Sequence, residues 1–187
     1  MSVLPIFLYG QPVLRRKAHP LKRLEGDVAQ FAADMSETMQ KANGVGLAAT
    51  QVGDLRRIIV VDPSVMEEYK DQPPIAMINP EVLATDGTWD LEEGCLSIPE
   101  LREQVTRSAT VRVRFHDLEF REQELTAAGM FGRVIQHEVD HLNGVLFIDH
   151  LNPLKRKLLR GRLNKIERGE VEVEYPVVGK LKEGVSR

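Results

Sequence analysis

The string QHEVDH, Gln136 to His141, carries two histidines four residues apart, with a glutamate directly after the first. On a helix, positions i and i+4 lie one turn apart on the same face, with Cβ atoms about 5–6 Å from each other. Two imidazoles so placed can reach one metal ion. The carboxylate of Glu138 can reach a water on that ion and take its proton, which is the H-E-x-x-H arrangement. Met130, Val134, His137 and His141 follow i, i+4, i+7, i+11 and form one stripe. The histidines thus extend the face that the helix buries, where imidazoles and carboxylates are costly unless paired or ligated. Two satisfied core histidines beside a surface glutamate are the simpler alternative. Asp140 either orients a histidine or faces solvent, and solvent is the expectation.

A catalytic site of the zinc type takes three protein ligands and leaves one position open. In the peptidase pattern H-E-x-x-H-x-x-G-x-x-H, the third histidine falls where this chain has Phe147, and phenylalanine cannot ligate. His150 is out of register. Glu167, Glu170, Glu172 and Glu174 lie in a stretch that reads as surface. The remaining candidate is Cys95, the only cysteine, in EGCLS (Glu93 to Ser97). A thiolate is a strong ligand for borderline or soft metals, and Gly94 lets the backbone come close. Taken alone, a lone cysteine reads as a small buried hydrophobe. Read together with the histidine pair, it reads as the third ligand, and a Cys/His/His set by itself favours zinc.

The elements that must position these residues follow from periodicity. GDVAQFAADMSETMQKANG predicts a helix with Asp27 as N-cap, Val28, Phe31, Met35 and Met39 at helical spacing, and a stop at Asn43-Gly44. RRIIVVDP predicts a buried strand, and IAMINPEVL two strand pieces interrupted at Asn79-Pro80. In ATVRVRFHD, Val111, Val113 and Phe115 alternate with Arg112, Arg114 and His116, the pattern of a half-buried strand. FREQEL can pair with it. The histidine helix is predicted over TAAGMFGRVIQHEVDHLNG, with Thr126 as N-cap. A third helix starts at Asn152-Pro153, with Leu154, Leu158, Leu159, Leu163 and Ile166 on its apolar side and Gly169 at its end. VEVEYPVV reads as a last edge strand, because Pro176 limits pairing. Strands and helices are not interleaved one for one. The expected fold is therefore α+β: a small single domain of antiparallel or mixed strands around a central helix carrying H-E-x-x-H, plus a C-terminal helix.

At 187 residues, 42% of them hydrophobic and 28% charged, the chain is long enough for its own core without disulfides. No apolar run approaches the roughly 20 residues of a membrane span. The start, MSVLPIFLYGQPVLRR, has only a short apolar piece containing Pro5 and reads as neither a signal nor a transit peptide. With one cysteine besides, a cytoplasmic location is expected. A net charge of −3 argues against DNA or membrane partners. The charge is uneven, however. Pro153 to Arg168 holds seven basic residues and one acid, a net +6 that leaves −9 elsewhere.

Three strings in order, GVGLAATQ (Gly44 to Gln51), EGCLS and QHEVDH, resemble the motifs of the peptide deformylase family of bacteria. YGQPVLRRKAHP and CLSIPELR are similar to it as well, so the likeness covers roughly residues 1–150. The resemblance implies strands wrapped around a central helix and removal of the formyl group from N-formylmethionyl nascent peptides, with release of formate. It implies Cys95, His137 and His141 as metal ligands and Glu138 as the acid/base. It also implies that Gln51 and the Leu96 N–H hold the developing oxyanion and that Arg102 contacts the peptide. Gly44, Gly46 and Gly94 fit backbone lying beside a substrate. Val45, Met130, Phe131 and Val134 are candidate walls for a methionine pocket, although Arg133 puts a charge where the family is usually apolar. The resemblance implies Fe2+ in the cell, with Zn2+ or Ni2+ able to occupy the same ligands. Residues 1–150 form the expected catalytic domain, with 151–187 a basic helix and short tail strand packed on it. That helix, 153–168, could dock on ribosomal RNA phosphates or be a solvated amphipathic helix. An H-E-x-x-H metallopeptidase and a metal-stabilised RNA-binding module are the rival readings.

Overall fold

In a computed structural model, which describes residues 2–24, 26–65 and 67–180, a five-stranded antiparallel sheet carries the molecule. Its strands are β2 (Gly46–Ala48), β3 (Ile58–Val61), β4 (Ile75–Asp86), β7 (Thr110–His116) and β8 (Glu122–Ala128), paired in that order. Val111, Val113 and Phe115 point into the core, as their alternation requires. A separate hairpin joins β5 (Trp89–Cys95) to β6 (Ile98–Arg107). β1 (Ile6–Phe7) pairs in parallel with β9 (Val177–Val178), so both ends of the described chain meet.

Three helices complete the fold: α1 (Val28–Lys41), α2 (Gly129–Leu142) and α3 (Pro153–Glu167). Ile135, Val139 and Leu142 of α2 lie in one apolar cluster with Ile59 and Met77 of the sheet and Val111, Val113 and Phe115 of β7. Gly132 lets α2 approach β8 closely, since a Cβ there would lie 2.6 Å from the Ala127 carbonyl oxygen. The expected α+β architecture around a histidine-bearing helix is the one observed.

Several local expectations are corrected. α2 begins at Gly129 with Ala128 at the N-cap, and Thr126 belongs to β8. Asp27 does precede α1, but its carboxylate accepts from Arg56 Nη1 at 2.8 Å instead of capping the helix. Asn79-Pro80 does not split β4. Asn79 takes φ 54° at a bulge, and its amide exchanges two hydrogen bonds of 2.8 Å with the backbone of Leu21. A bulge tolerates both the positive φ and the missing proline N–H. VEVEYPVV contributes only Val177–Val178 as strand. In α3, Leu159, Leu163 and Ile166 are buried, whereas Leu154 and Leu158 are 68% and 75% exposed. Residues 181–187 of the expected C-terminal segment lie outside the described residues.

Candidate active site

Cys95 ends β5 at the hairpin turn, and α2 passes directly beneath it. Cys95 Sγ and His137 Nε2 each lie 3.2 Å from His141 Nε2. All three ligand atoms fall within 4.8 Å of one another. Around a tetrahedral ion, bonds of about 2.0–2.3 Å place donor atoms roughly 3.3–3.7 Å apart, so this set fits a divalent metal. Burial, then the neighbouring His137, holds His141 well below the usual imidazole range, in the neutral form a metal requires.

Glu93 lies behind the triad, 6% exposed, and it organises a buried ionic cluster. His137 Nδ1 donates to Glu93 Oε2 at 3.1 Å, which leaves Nε2 facing the cysteine. Arg107 Nε and Arg133 Nη1 both reach Glu93 Oε1 at 2.5 Å. Burial alone would raise the Glu93 carboxyl, but the His137 and Arg107 contacts outweigh it and hold the group down to about 2. Asp140 does not face solvent as expected. It accepts from Arg107 Nη1 at 2.8 Å and pairs with His150 Nε2 at 2.7 Å. It thereby props the arginine that holds Glu93.

A cleft of about 510 Å3 opens above the triad. Gly44, Val45, Gly46, Gln51, Gly94, Cys95, Leu96, Arg102, Met130, Val134, His137 and Glu138 line it. Phe131 does not. It packs in the sheet-side core, because one helical position separates it from the Met130–Val134 edge. Arg133 reaches the cleft only at its base, since its guanidinium is spent on Glu93 and the Val105 carbonyl. Gln51 Oε1 accepts from the Ala48 N–H at 2.8 Å. That contact fixes the amide so that Nε2 donates toward Ser97 Oγ (3.2 Å) and Cys95 Sγ (3.5 Å). Glu138 is 4% exposed and its Oε2 has no partner among the described residues. Burial raises its carboxyl to about 7, against the opposing pull of His137 and Arg107. A carboxylate poised there can exchange a proton near neutral pH.

Sequence reasoning gave Glu93 and Arg107 no role in this site, and it weighed Asp140 as a histidine-orienting residue but favoured solvent. Arg133 offered the one available signal. It stands one turn before His137 on the buried side of α2, and a buried guanidinium must have an acidic partner.

Two imidazoles, a thiol and a buried carboxylate at the floor of a cleft are the equipment of a metal-dependent hydrolase. A family model described as polypeptide deformylase matches residues 3–157, and the chain belongs to that family. The peptide deformylase of Salinibacter ruber is 45% identical over 191 residues, covering 98% of both chains. That of Cytophaga hutchinsonii is 45% identical over 175 residues, covering 92% of this chain and 95% of the relative. Among solved structures, a Legionella pneumophila peptide deformylase superposes with TM-score 0.82 at 36% identity, over 90% of this chain and 98% of that one. The Synechococcus elongatus enzyme in complex with actinonin gives 0.78 at 38% identity, over 91% and 89%.

Proposed function

We propose that this chain removes the N-formyl group from the N-terminal formylmethionine of nascent polypeptides and releases formate. The observation that carries the reading is the convergence of Cys95 Sγ, His137 Nε2 and His141 Nε2 beneath a cleft that Glu138 also lines, its Oε2 without a partner among the described residues. Those three side chains would hold the metal, which we assign as Fe2+, with Zn2+ or Ni2+ as substitutes of compatible ligand preference. When bound, the ion supplies Lewis acidity and lowers the pKa of water.

The remaining steps belong to side chains and backbone. Gly44, Val45, Gly46, Gly94 and Arg102 flank the peptide, while Val45, Met130 and Val134 give the methionine an apolar wall. Glu138 takes a proton from water as the new C–O bond forms at the formyl carbon. Gln51 Nε2 and the Leu96 N–H donate to the oxygen that becomes negative; one such donor is typically worth about 10²–10³ in rate. The C–N bond then breaks, its electron pair goes to nitrogen, and Glu138 returns the proton to the leaving amine.

Anaerobic purification, metal analysis and assays with formylated and unformylated peptides test this reading. Formate released only from the formylated peptide is the expected result. Cleavage of internal bonds would make the protein a peptidase, and metal-dependent folding without turnover would make it a binding module. Cys95→Ser and His137→Ala should lose metal and activity, whereas Glu138→Ala should keep metal and lose turnover.

Catalysis is assigned to residues 1–150, with the described residues 151–180 packed on the same domain, and the site of action to the cytoplasm. The basic helix 153–168 is proposed to contact the ribosome. Exposed Leu154 and Leu158 beside seven cationic residues support this, as a surface for both RNA phosphate and apolar contact. Co-sedimentation with ribosomes should weaken steeply with salt, and no binding at low salt would remove the contact.

A further inference from the structure

One residue of the tail beyond α3 enters the cleft. Tyr175 lines it near Leu96, Pro99, Glu100 and Arg102. Its hydroxyl donates to the Leu96 carbonyl at 2.9 Å. Residue 175 lies outside the 3–157 span matched by the family model.

The tail is held by contacts that do not use this hydroxyl. Ile6 N–H donates to Pro176 O at 2.8 Å, Leu8 N–H to Val178 O at 2.9 Å, and Glu172 N–H to Glu100 Oε1 at 3.0 Å. The hydroxyl is therefore not needed to anchor the tail. What it does hold is the turn after Cys95. The Ser97 carbonyl accepts from Tyr9 N–H at 2.8 Å, and Ser97 Oγ accepts from Gln51 Nε2 at 3.2 Å. Between Cys95, the last residue of β5, and this tethered Ser97, Leu96 has only its φ and ψ as soft rotations. A donor on its carbonyl fixes the Leu96–Ser97 plane, and with Cys95 held on the other side this narrows the φ and ψ that turn the Leu96 N–H in the preceding plane. Burial, followed by the charges of Cys95 and Glu100, pushes the phenol up to about 12, so the group remains a donor at working pH.

We propose that Tyr175 is a positioning residue for deformylation: its hydroxyl locks the Leu96 peptide so that the Leu96 N–H stays aimed at the formyl oxygen. This rests on the functional reading above, in which that N–H stabilises the developing charge. The tail thus completes a site whose chemistry is encoded upstream.

The test is Tyr175→Phe in the full metal-loaded chain, which keeps the ring and removes one oxygen. With a formylmethionyl peptide, kcat should fall about 3–10-fold, the worth of one neutral hydrogen bond, while KM changes less than twofold. Metal content should match the parent, and exchange of the Leu96 and Ser97 amides should quicken. Tyr175→Leu, which also removes the ring, should reproduce the kcat loss and raise KM. A Tyr175→Phe enzyme with parental kcat and parental amide exchange overturns the proposal. So does a lowered thermal midpoint with unchanged kcat per bound metal, which marks a merely structural contact. A parent that releases no formate fails the functional reading itself and this inference with it, a result distinct from an active parent and an equally active variant.

Discussion

Gly46 and Glu138 meet where only a hydrogen atom fits. A Cβ on Gly46 would lie 2.4 Å from Glu138 Oε1 and 2.7 Å from Val134 Cγ1. Alanine would therefore displace the carboxylate or push the cleft wall. The three atoms nearest to such a methyl belong to Glu138 and Val134, and none to Cys95, His137 or His141. Gly46→Ala should keep its metal and lose about 10²-fold in kcat, the cost of misplacing a reacting group by about 1 Å. Metal analysis with steady-state formate release reads both quantities, and an unchanged kcat would show that Gly46 does not set the carboxylate. The cluster behind the histidines makes a second claim at this scale. Arg133→Met leaves Glu93 one arginine short and the Trp89 and Val105 carbonyls without the guanidinium they accept from. Breaking a buried pair from one side costs about 3–5 kcal/mol. Urea unfolding should show a loss of that size, and a loss below about 1 kcal/mol would mean the cluster relaxes around the gap.

At the scale of elements, the sequence was most readable where periodicity and burial agree. Val111, Val113 and Phe115 declared β7, and the Met130 to His141 stripe declared the buried face of α2. The β5–β6 hairpin was not read, although Leu101, Glu103, Val105 and Arg107 alternate in β6 and point to one side. Arg107 and its partner Glu93 are buried as ions, so the charges masked the alternation that apolar residues would have displayed. The third helix erred in the opposite sense. Five apolar residues suggested one wide face, but only Leu159, Leu163 and Ile166, at i, i+4, i+7, meet the body. Leucine type cannot reveal which residues a neighbouring surface covers. The corrected face is testable: Leu159→Ala should cost about 2–4 kcal/mol of stability, whereas Leu158→Ala should change it by no more than about 0.5 kcal/mol. Equal losses in denaturant titrations would restore the wider face. The two histidine ligands were legible because they share a helical spacing and a short motif, and Cys95 because it is the only cysteine and no third histidine falls in register. Tyr175 was not, because it reaches the cleft across 79 residues of sequence separation.

At the scale of the whole molecule, distant segments are brought together by a few ties, and one of them should respond to pH. Arg15, in the turn Pro12–Arg15 after β1, pairs with Asp149 in the turn Phe147–His150 that leads toward α3. A second nitrogen, Nη2, reaches Asp149 Oδ1 at 3.2 Å, and the Leu146 N–H donates to Oδ2 at 2.8 Å. Burial would raise this carboxyl, but the Arg15 and Leu146 hydrogen bonds outweigh it and hold the group below its usual range. A depressed folded-state pKa gives stability that is fully present above the unfolded value near 4 and is lost as pH falls through the lower folded value. Asp149→Asn should therefore be less stable than the parent at pH 7 by about 1 kcal/mol, since both partners are partly exposed and screened. The gap should narrow as both proteins are titrated below about pH 4. Urea midpoints of the two metal-loaded proteins, measured in parallel across that range, isolate the effect, because acid loss of metal is common to both. A stability difference that stays constant from pH 7 to 3 would mean that Asp149 acts through its shape and not its charge.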